Sequence, residues 1–210
     1  MRTNIITHTF YPNVFTTRKS IEKFQPGVKL SPHVIHELLE MASLAPSTWD
    51  LQHWRFVAIQ NQMDKQRLFP IVYHQQQVLD CSTVIIVLGD EEAYQNAEKI
   101  LNQSFKKGII SQQTKESQLE EIQQAYRSDA NFRKEEAIRN ASLAGMQLML
   151  VARDKGLDSC MLRFDSKMLL EELNLPPRYL PVMFICLGYA AKAPKPSFYI
   201  PLEETLLFEI

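Results

Sequence analysis

The groups that could do chemistry in this chain are side chains, not backbone. Its six glycines, Gly27, Gly89, Gly108, Gly145, Gly156 and Gly188, stand isolated in 210 residues, under half the usual ~7 %. None are spaced for G-x-G-x-x-G or a Walker loop, so phosphate binding of those kinds is excluded. A nucleotide-like ligand would have to be gripped by side chains. The five histidines, His8, His33, His36, His53 and His74, form no H-E-x-x-H. His33 and His36 lie at i, i+3 near a helix start, followed by Glu37 and Glu40, a spacing open to a metal pair or to a solvated helix turn. Cys81, Cys160 and Cys186 are widely spaced within apolar segments and make no C-x-x-C, which fits a reducing compartment. No constellation supports a metal- or thiol-dependent hydrolase.

Charge and pattern set the frame. Lys plus Arg number 23 against 24 Asp plus Glu, a net charge of −1, which lacks the clustered basic excess of a nucleic-acid binder. Met1–Phe15 has one charge and no long apolar region, so no signal peptide is expected, and no apolar run is long enough to cross a membrane. Residues 9–20 read as a short helix, with a turn at Gln25-Pro26-Gly27. Ser31-Pro32 is an N-cap with Pro at the first helical position, and Val34, Ile35, Leu38, Leu39 and Ala42 predict a helix over 32–44. Strands are predicted at 55–60, 83–89, 157–161 and 181–188, the second apolar enough to be covered on both faces. A helix is predicted over 64–72. Residues 91–130, rich in Gln, Glu and Lys, predict two exposed helices around Lys107-Gly108, either a solvated hairpin or a lid. The longest helix, 134–155, is almost wholly apolar from Ala141 to Ala152, which suits a subunit interface as well as a core. The apolar tail, ending Leu206-Leu-Phe-Glu-Ile210, suits an added strand on a partner subunit. One α/β domain over 1–210 with a helical insertion at 91–130 is expected.

The run Leu38-Leu-Glu-Met-Ala-Ser-Leu-Ala-Pro-Ser-Thr-Trp-Asp-Leu-Gln-His-Trp-Arg-Phe-Val-Ala-Ile59 resembles the FMN-dependent nitroreductase family, whose motif is roughly A-P-S-x-x-N-x-Q-P-W-x-F. Arg18-Lys-Ser-Ile21, the long helix ending Lys155-Gly-Leu-Asp-Ser159, and Leu187-Gly-Tyr189 followed by Ile200-Pro-Leu-Glu-Glu204 agree in order and spacing. The resemblance implies an α+β fold with a mixed, largely antiparallel sheet between helices. It implies a homodimer built on the long central helix, with FMN sites at the interface. NAD(P)H would give a hydride to the flavin and leave, and a nitroaromatic, quinone or similar acceptor would then take two electrons in a ping-pong cycle. The flavin would carry the chemistry, with no catalytic side chain and no metal.

Carried onto this chain, the resemblance assigns Arg18, Lys19 and Ser20 to the phosphate and ribityl chain, where an Arg fork suits a dianion and a hydroxyl adds a directional donor. Pro46, Ser47 and Thr48 would run under the flavin, Asp50 and Gln52 hold the cofactor-binding motif positions, and His74 stands where the family often places an Asn facing the pyrimidine edge. Trp54 would be core or cofactor wall. Leu162 and Arg163 occupy a loop where the family has small residues. Tyr199 stands where the family places a phosphate-binding Arg, with Lys195 or Lys192 as substitutes. Glu22 stands where a cation is usual, Asp50 replaces an Asn, and His53 replaces a Pro. These departures leave two readings: a cytoplasmic NAD(P)H-dependent flavin reductase, or a ligand-binding protein of the same fold with weakened reductase activity.

Overall fold

The computed structural model describes residues 13–208. Its centre is a four-stranded antiparallel sheet of β1 (Trp54–Ile59), β2 (Thr83–Asp90), β3 (Asp158–Leu162) and β4 (Tyr179–Gly188), in the order β1-β2-β4-β3. Every residue of β2 is buried, because helices and loops cover both faces of the sheet. The period-2 alternation sorts its side chains. Ile85, Val87, Ile185 and Leu187 pack towards the long helix, while Val84, Ile86, Leu88, Phe184 and Cys186 pack on the other side. One parallel bridge, Ser20 to Ser159, adds the N-terminal segment to the edge at β3.

The helices are α1 (Val14–Thr17), α2 (Pro32–Ala42), α3 (Gln62–Leu68), α4 (Gln77–Asp80), α5 (Ala97–Lys106), α6 (Gln112–Ser128), α7 (Ala130–Asp154), α8 (Ser166–Leu173) and α9 (Leu202–Thr205). Ser31 caps α2, its Oγ accepting from Val34 N at 3.3 Å, and Ile35, Leu38 and Ala42 bury its inner face. α7 crosses the sheet closely at two glycines. A Cβ on Gly89 would sit 2.7 Å from Ala137 O, and one on Gly145 would collide with the Met183 thioether.

Several expected boundaries move. The helix expected over 9–20 is helical among the described residues only at Val14–Thr17; residues 9–12 lie outside them. Arg18 is extended (φ −63°, ψ 122°), because Ser20 and Ile21 are drawn into pairing with Ser159. α2 stops at Ala42, where the Ser43 hydroxyl turns back to Leu39 O at 2.8 Å. α3 spans 62–68 instead of 64–72, its start fixed by the Asn61 cap. α7 begins four residues early at the Asp129 cap, and β1 and β3 are each shifted by one residue. The tail forms no strand within the described chain. It carries the short α9 and leaves Phe198, Leu207 and Phe208 exposed.

Candidate functional site

The expected site residues fall into two clusters. The first gathers around β3. The parallel bridge at Ser20 and the Ile21 N–H donating to Ser159 O at 3.0 Å lay the Arg18–Ser20 segment along the strand. Its upstream end is tied to α7, since Arg153 Nε donates to Thr17 Oγ1 at 3.3 Å and pairs with Asp158 at 2.9 Å. Lys19 Nζ reaches the Tyr199 hydroxyl at 3.4 Å and lies 5.2 Å from its ring centre. Bonding from Ser197, then Lys19, holds the Tyr199 phenol below its ordinary pKa. Lys195 pairs with Glu22 at 2.8 Å. The carboxylate that replaces a cation is therefore answered by the lysine expected at the phosphate.

At the far end of β3, about 10 Å along the strand from Ser159 at ~3.3 Å per residue, the chain brings His74, Leu162 and Arg163 together. Leu162 is buried. The Arg163 guanidinium stacks 4.5 Å from the Tyr73 ring centre, and Arg163 O accepts from Gln75 Nε2 at 2.9 Å. His74 stands edge-on to Phe69 at 5.0 Å. Tyr73 and His74 both adopt left-handed backbone (φ 54° and 58°), held by Tyr73 N to Pro70 O at 3.1 Å and His74 N to Phe69 O at 3.0 Å.

The second cluster is the Pro46–Gln52 loop. Ser47 Oγ accepts from Gln52 N at 3.0 Å. Thr48 N donates to Asn140 Oδ1 at 2.9 Å, and Asn140 Nδ2 donates to Glu136 O and Oε2 at 2.7 and 3.0 Å. Asn140 and Glu136 are buried on α7. Trp49, Asp50 and Gln52 are again left-handed (φ 50°, 55°, 53°). Arg55 clamps the loop's exit, donating to Gln52 O at 3.0 Å while pairing with buried Asp90 at 2.8 Å. Arg178 completes the Asp90 pair through two bonds of 2.8 and 2.6 Å. Among the described residues, six non-glycine positions have positive φ, and five lie in these two loops. Each costs about 1–3 kcal/mol and persists where surroundings impose it, as at ligand-binding sites.

The α5–α6 hairpin sits over the second cluster. Leu51, with no exposure, is buried among Ala93, Ala97, Leu101, Ile122 and Tyr126, and Asn96 Nδ2 donates to Leu51 O at 2.8 Å. The Tyr126 hydroxyl bonds His53 Nε2. Burial lowers the His53 pKa to about 4, against the opposing pull of Asp90, and burial likewise raises that of the Tyr126 phenol. A cavity of about 390 Å³ beside Gln52 is lined by Trp54, Arg55, Asn96, Lys99, Ile100 and Gln103. His33 and His36 are exposed on α2, where Glu37 pairs with Lys155. Among the described residues no group of His, Cys, Asp and Glu is arranged to hold a metal, and no helix is long and apolar enough to cross a membrane.

The two clusters are far apart within the chain. Asn140 anchors the second and Arg153 anchors the first. Thirteen residues of α7 separate them, about 20 Å at ~1.5 Å per residue. Between them α7 exposes Leu143 and Met146, and Ile138 is exposed just before Asn140. Asn140, Glu136, Asp90 and Arg178 were not expected from sequence, and His53 stood out only as a departure from the motif Pro. A polar pair entering an apolar helix was the one available signal for Asn140.

A sequence model of the nitroreductase family matches residues 15–189. YodC of Bacillus subtilis, itself assigned as an NAD(P)H nitroreductase by inference, is 35 % identical over 91 % of this chain and 95 % of its own length. The CLA biosynthesis enone reductase of Lactiplantibacillus plantarum is 30 % identical over 87 % of this chain and 86 % of its own. Among solved structures, an inferred nitroreductase from Exiguobacterium sibiricum 255-15, crystallised in complex with FMN, superposes with a TM-score of 0.87 at 32 % identity, covering 93 % of this chain and 95 % of that one.

Proposed function

Because this chain belongs to the nitroreductase family, we propose that it is an FMN-dependent oxidoreductase that takes a hydride from NAD(P)H and passes two electrons to a small electron-poor acceptor such as a nitroaromatic, a quinone or an enone. The observation that carries this reading is the division of the candidate residues into two clusters, anchored on α7 at Asn140 near its middle and at Arg153 at its C-terminal end, with strained backbone in both. Packing α7 antiparallel against its copy in a homodimer brings the Asn140 anchor of one subunit to the Arg153 anchor of the other. It also covers Ile138, Leu143 and Met146. Each site then takes one cluster from each subunit.

The donor set fits FMN. Arg18 and Ser20 supply a guanidinium fork and a hydroxyl for the phosphate, with Lys19 beside them. Lys195 neutralises Glu22 next to that grip. Pro46, Ser47 and Thr48 would run under the flavin, and Asp50, Gln52 and His74 would contact its ring. Leu162 closes a dry wall, and Arg163 lies at the rim on Tyr73. The bound flavin supplies the hydride chemistry. The residues named would orient it, and NAD(P)H and acceptor would reach it in turn. The α5–α6 hairpin, tied to the Pro46–Gln52 loop through Leu51 and Tyr126, would be a lid over that approach. The reading includes a cytoplasmic location, where NAD(P)H is available.

The test is the visible spectrum of the purified protein, followed by NADH and NADPH oxidation with a nitroaromatic or quinone. Flavin absorbance and acceptor-dependent turnover support the reading. A colourless protein that takes up no FMN refutes it. Flavin uptake without turnover favours a ligand-binding protein, the reading to which Arg163 lying across Tyr73 points.

A further inference from the structure

All three cysteines of the chain meet on the face of the sheet opposite α7. Cys160 and Cys186 are direct cross-strand partners between β3 and β4. Cys81, just past the end of α4, packs in the same buried cluster as Cys186, and its thiol donates to Val78 O at 3.5 Å. Beside them lies Lys65 of α3, only 3 % exposed. Its ammonium donates to Cys81 O and, at 3.5 Å, to Ser82 O, and among the described residues it makes no ion pair with a carboxylate. A buried ammonium without a counter-charge is costly. A cavity of about 220 Å³ reaches this place, lined by Lys29, Asn61, Gln62, Lys65, Cys81 and Ser82. The Ser82 hydroxyl on its wall is buried without a hydrogen-bond partner. The cluster thus joins three buried thiols, a cation and a passage for a small polar molecule. It uses none of the residues assigned to the flavin and lies away from the α7 face.

We propose that Cys81 and Cys186 form a peroxide-sensitive dithiol, in which Cys81, at the floor of the cavity, is oxidised first and Cys186 closes the disulfide. The Cys81 thiolate attacks one oxygen of hydrogen peroxide, the O–O bond breaks, and hydroxide leaves, giving a sulfenic acid. The Cys186 sulfur then attacks the Cys81 sulfur. The S–O bond breaks, and the departing hydroxide takes the Cys186 proton as water. Two thiols and one peroxide become one disulfide and two waters, with two electrons passing from sulfur to oxygen. The division of roles follows the surroundings. The neighbouring Cys186 thiol lowers the Cys81 pKa, and the Lys65 charge lowers it further, against desolvation. Burial raises that of Cys186 and of Cys160, the latter to about 11, which keeps both as thiols.

The test treats the folded protein with hydrogen peroxide, quenches by denaturation in iodoacetamide, and maps peptides by mass. The expected product is a Cys81–Cys186 cross-link with Cys160 alkylated. Dimedone added during oxidation should label Cys81 in the unmutated protein, a readout needing no variant. Cys81→Ser should abolish the cross-link, Cys160→Ala should leave it intact, and Lys65→Gln should slow it several-fold at neutral pH. Three intact thiols after treatment, dimedone on Cys160 in place of Cys81, or a Cys160–Cys186 link as the main product would each overturn the proposal.

Discussion

Lowering the pH should destabilise this protein through one histidine. His53 has no exposed surface, and its Nδ1 has no hydrogen-bond partner. Burial depresses its pKa from 6.5 to about 4. The unfolded chain therefore binds a proton below about pH 6.5 that the folded chain refuses until about pH 4. Stability rises with pH wherever the unfolded state holds more protons, so this group's effect is an acid loss. It is absent above about pH 7, grows as pH falls through 6.5, and is complete near pH 4. The shift is about 2.5 units, and at ~1.4 kcal/mol per unit the loss is about 3 kcal/mol. In a chain of this size that is roughly 6–12 °C in Tm. The assay is urea unfolding at a series of pH values for the wild type and for His53→Gln, which keeps a neutral polar partner for Tyr126. Carboxylates titrate in both proteins and cancel in the difference. Trp49, whose ring lies 6.4 Å from Tyr126, reports on the same region. The wild type should lose about 3 kcal/mol more than the variant between pH 7.5 and pH 4. Parallel curves would show that His53 is not the buried neutral imidazole described here.

Three further outcomes follow. Asp90→Asn leaves Arg55 and Arg178 without their buried anion. Because both guanidiniums reach solvent, the cost belongs at the low end of the usual range for breaking a buried pair, about 3 kcal/mol, seen as a fall in Tm of roughly 6–12 °C. Asn140→Ala strips the acceptor from Thr48 N and should cost about 1–3 kcal/mol. It should also weaken FMN binding measured by fluorescence titration, since it releases the strained loop. Glu22→Lys removes the partner of Lys195 and adds cations beside the phosphate grip. It should tighten FMN and raise the flavin midpoint potential in a redox titration, and an unchanged potential would place Glu22 outside the flavin's field.

Much of the fold was legible because burial follows periodicity. The apolar run at 83–89 became the central strand, the Ser31-Pro32 cap opened α2, and the long apolar helix became α7. The Gln-rich segment gave the expected pair of helices. Boundaries failed where a tertiary partner captured a backbone that local pattern left free, as Ser159 does at Ser20 and Ile21. The candidate residues were assigned by motif, but the side chains that hold their loops were not legible. Asn140 lies 92 positions from Thr48, and Tyr126 lies 73 from His53. No local spacing encodes such contacts. The cysteines teach the same lesson, since widely separated residues from α4, β3 and β4 converge only after the sheet has paired. The glycine scarcity kept its meaning. Left-handed turns that glycine would relieve are imposed on Trp49, Asp50, Gln52, Tyr73 and His74.

The central claim is that each site combines the Arg18 cluster of one subunit with the Gln52 loop of the other. It is tested by co-expressing Arg18→Ala and Gln52→Ala chains with different affinity tags and assaying the doubly tagged heterodimer. Each parent homodimer carries a lesion in both of its sites. In the heterodimer one site collects both lesions and the other collects neither, so turnover should recover to about half of the wild-type value per dimer. A heterodimer as inactive as its parents would contradict the account, because each site would then be built within a single chain.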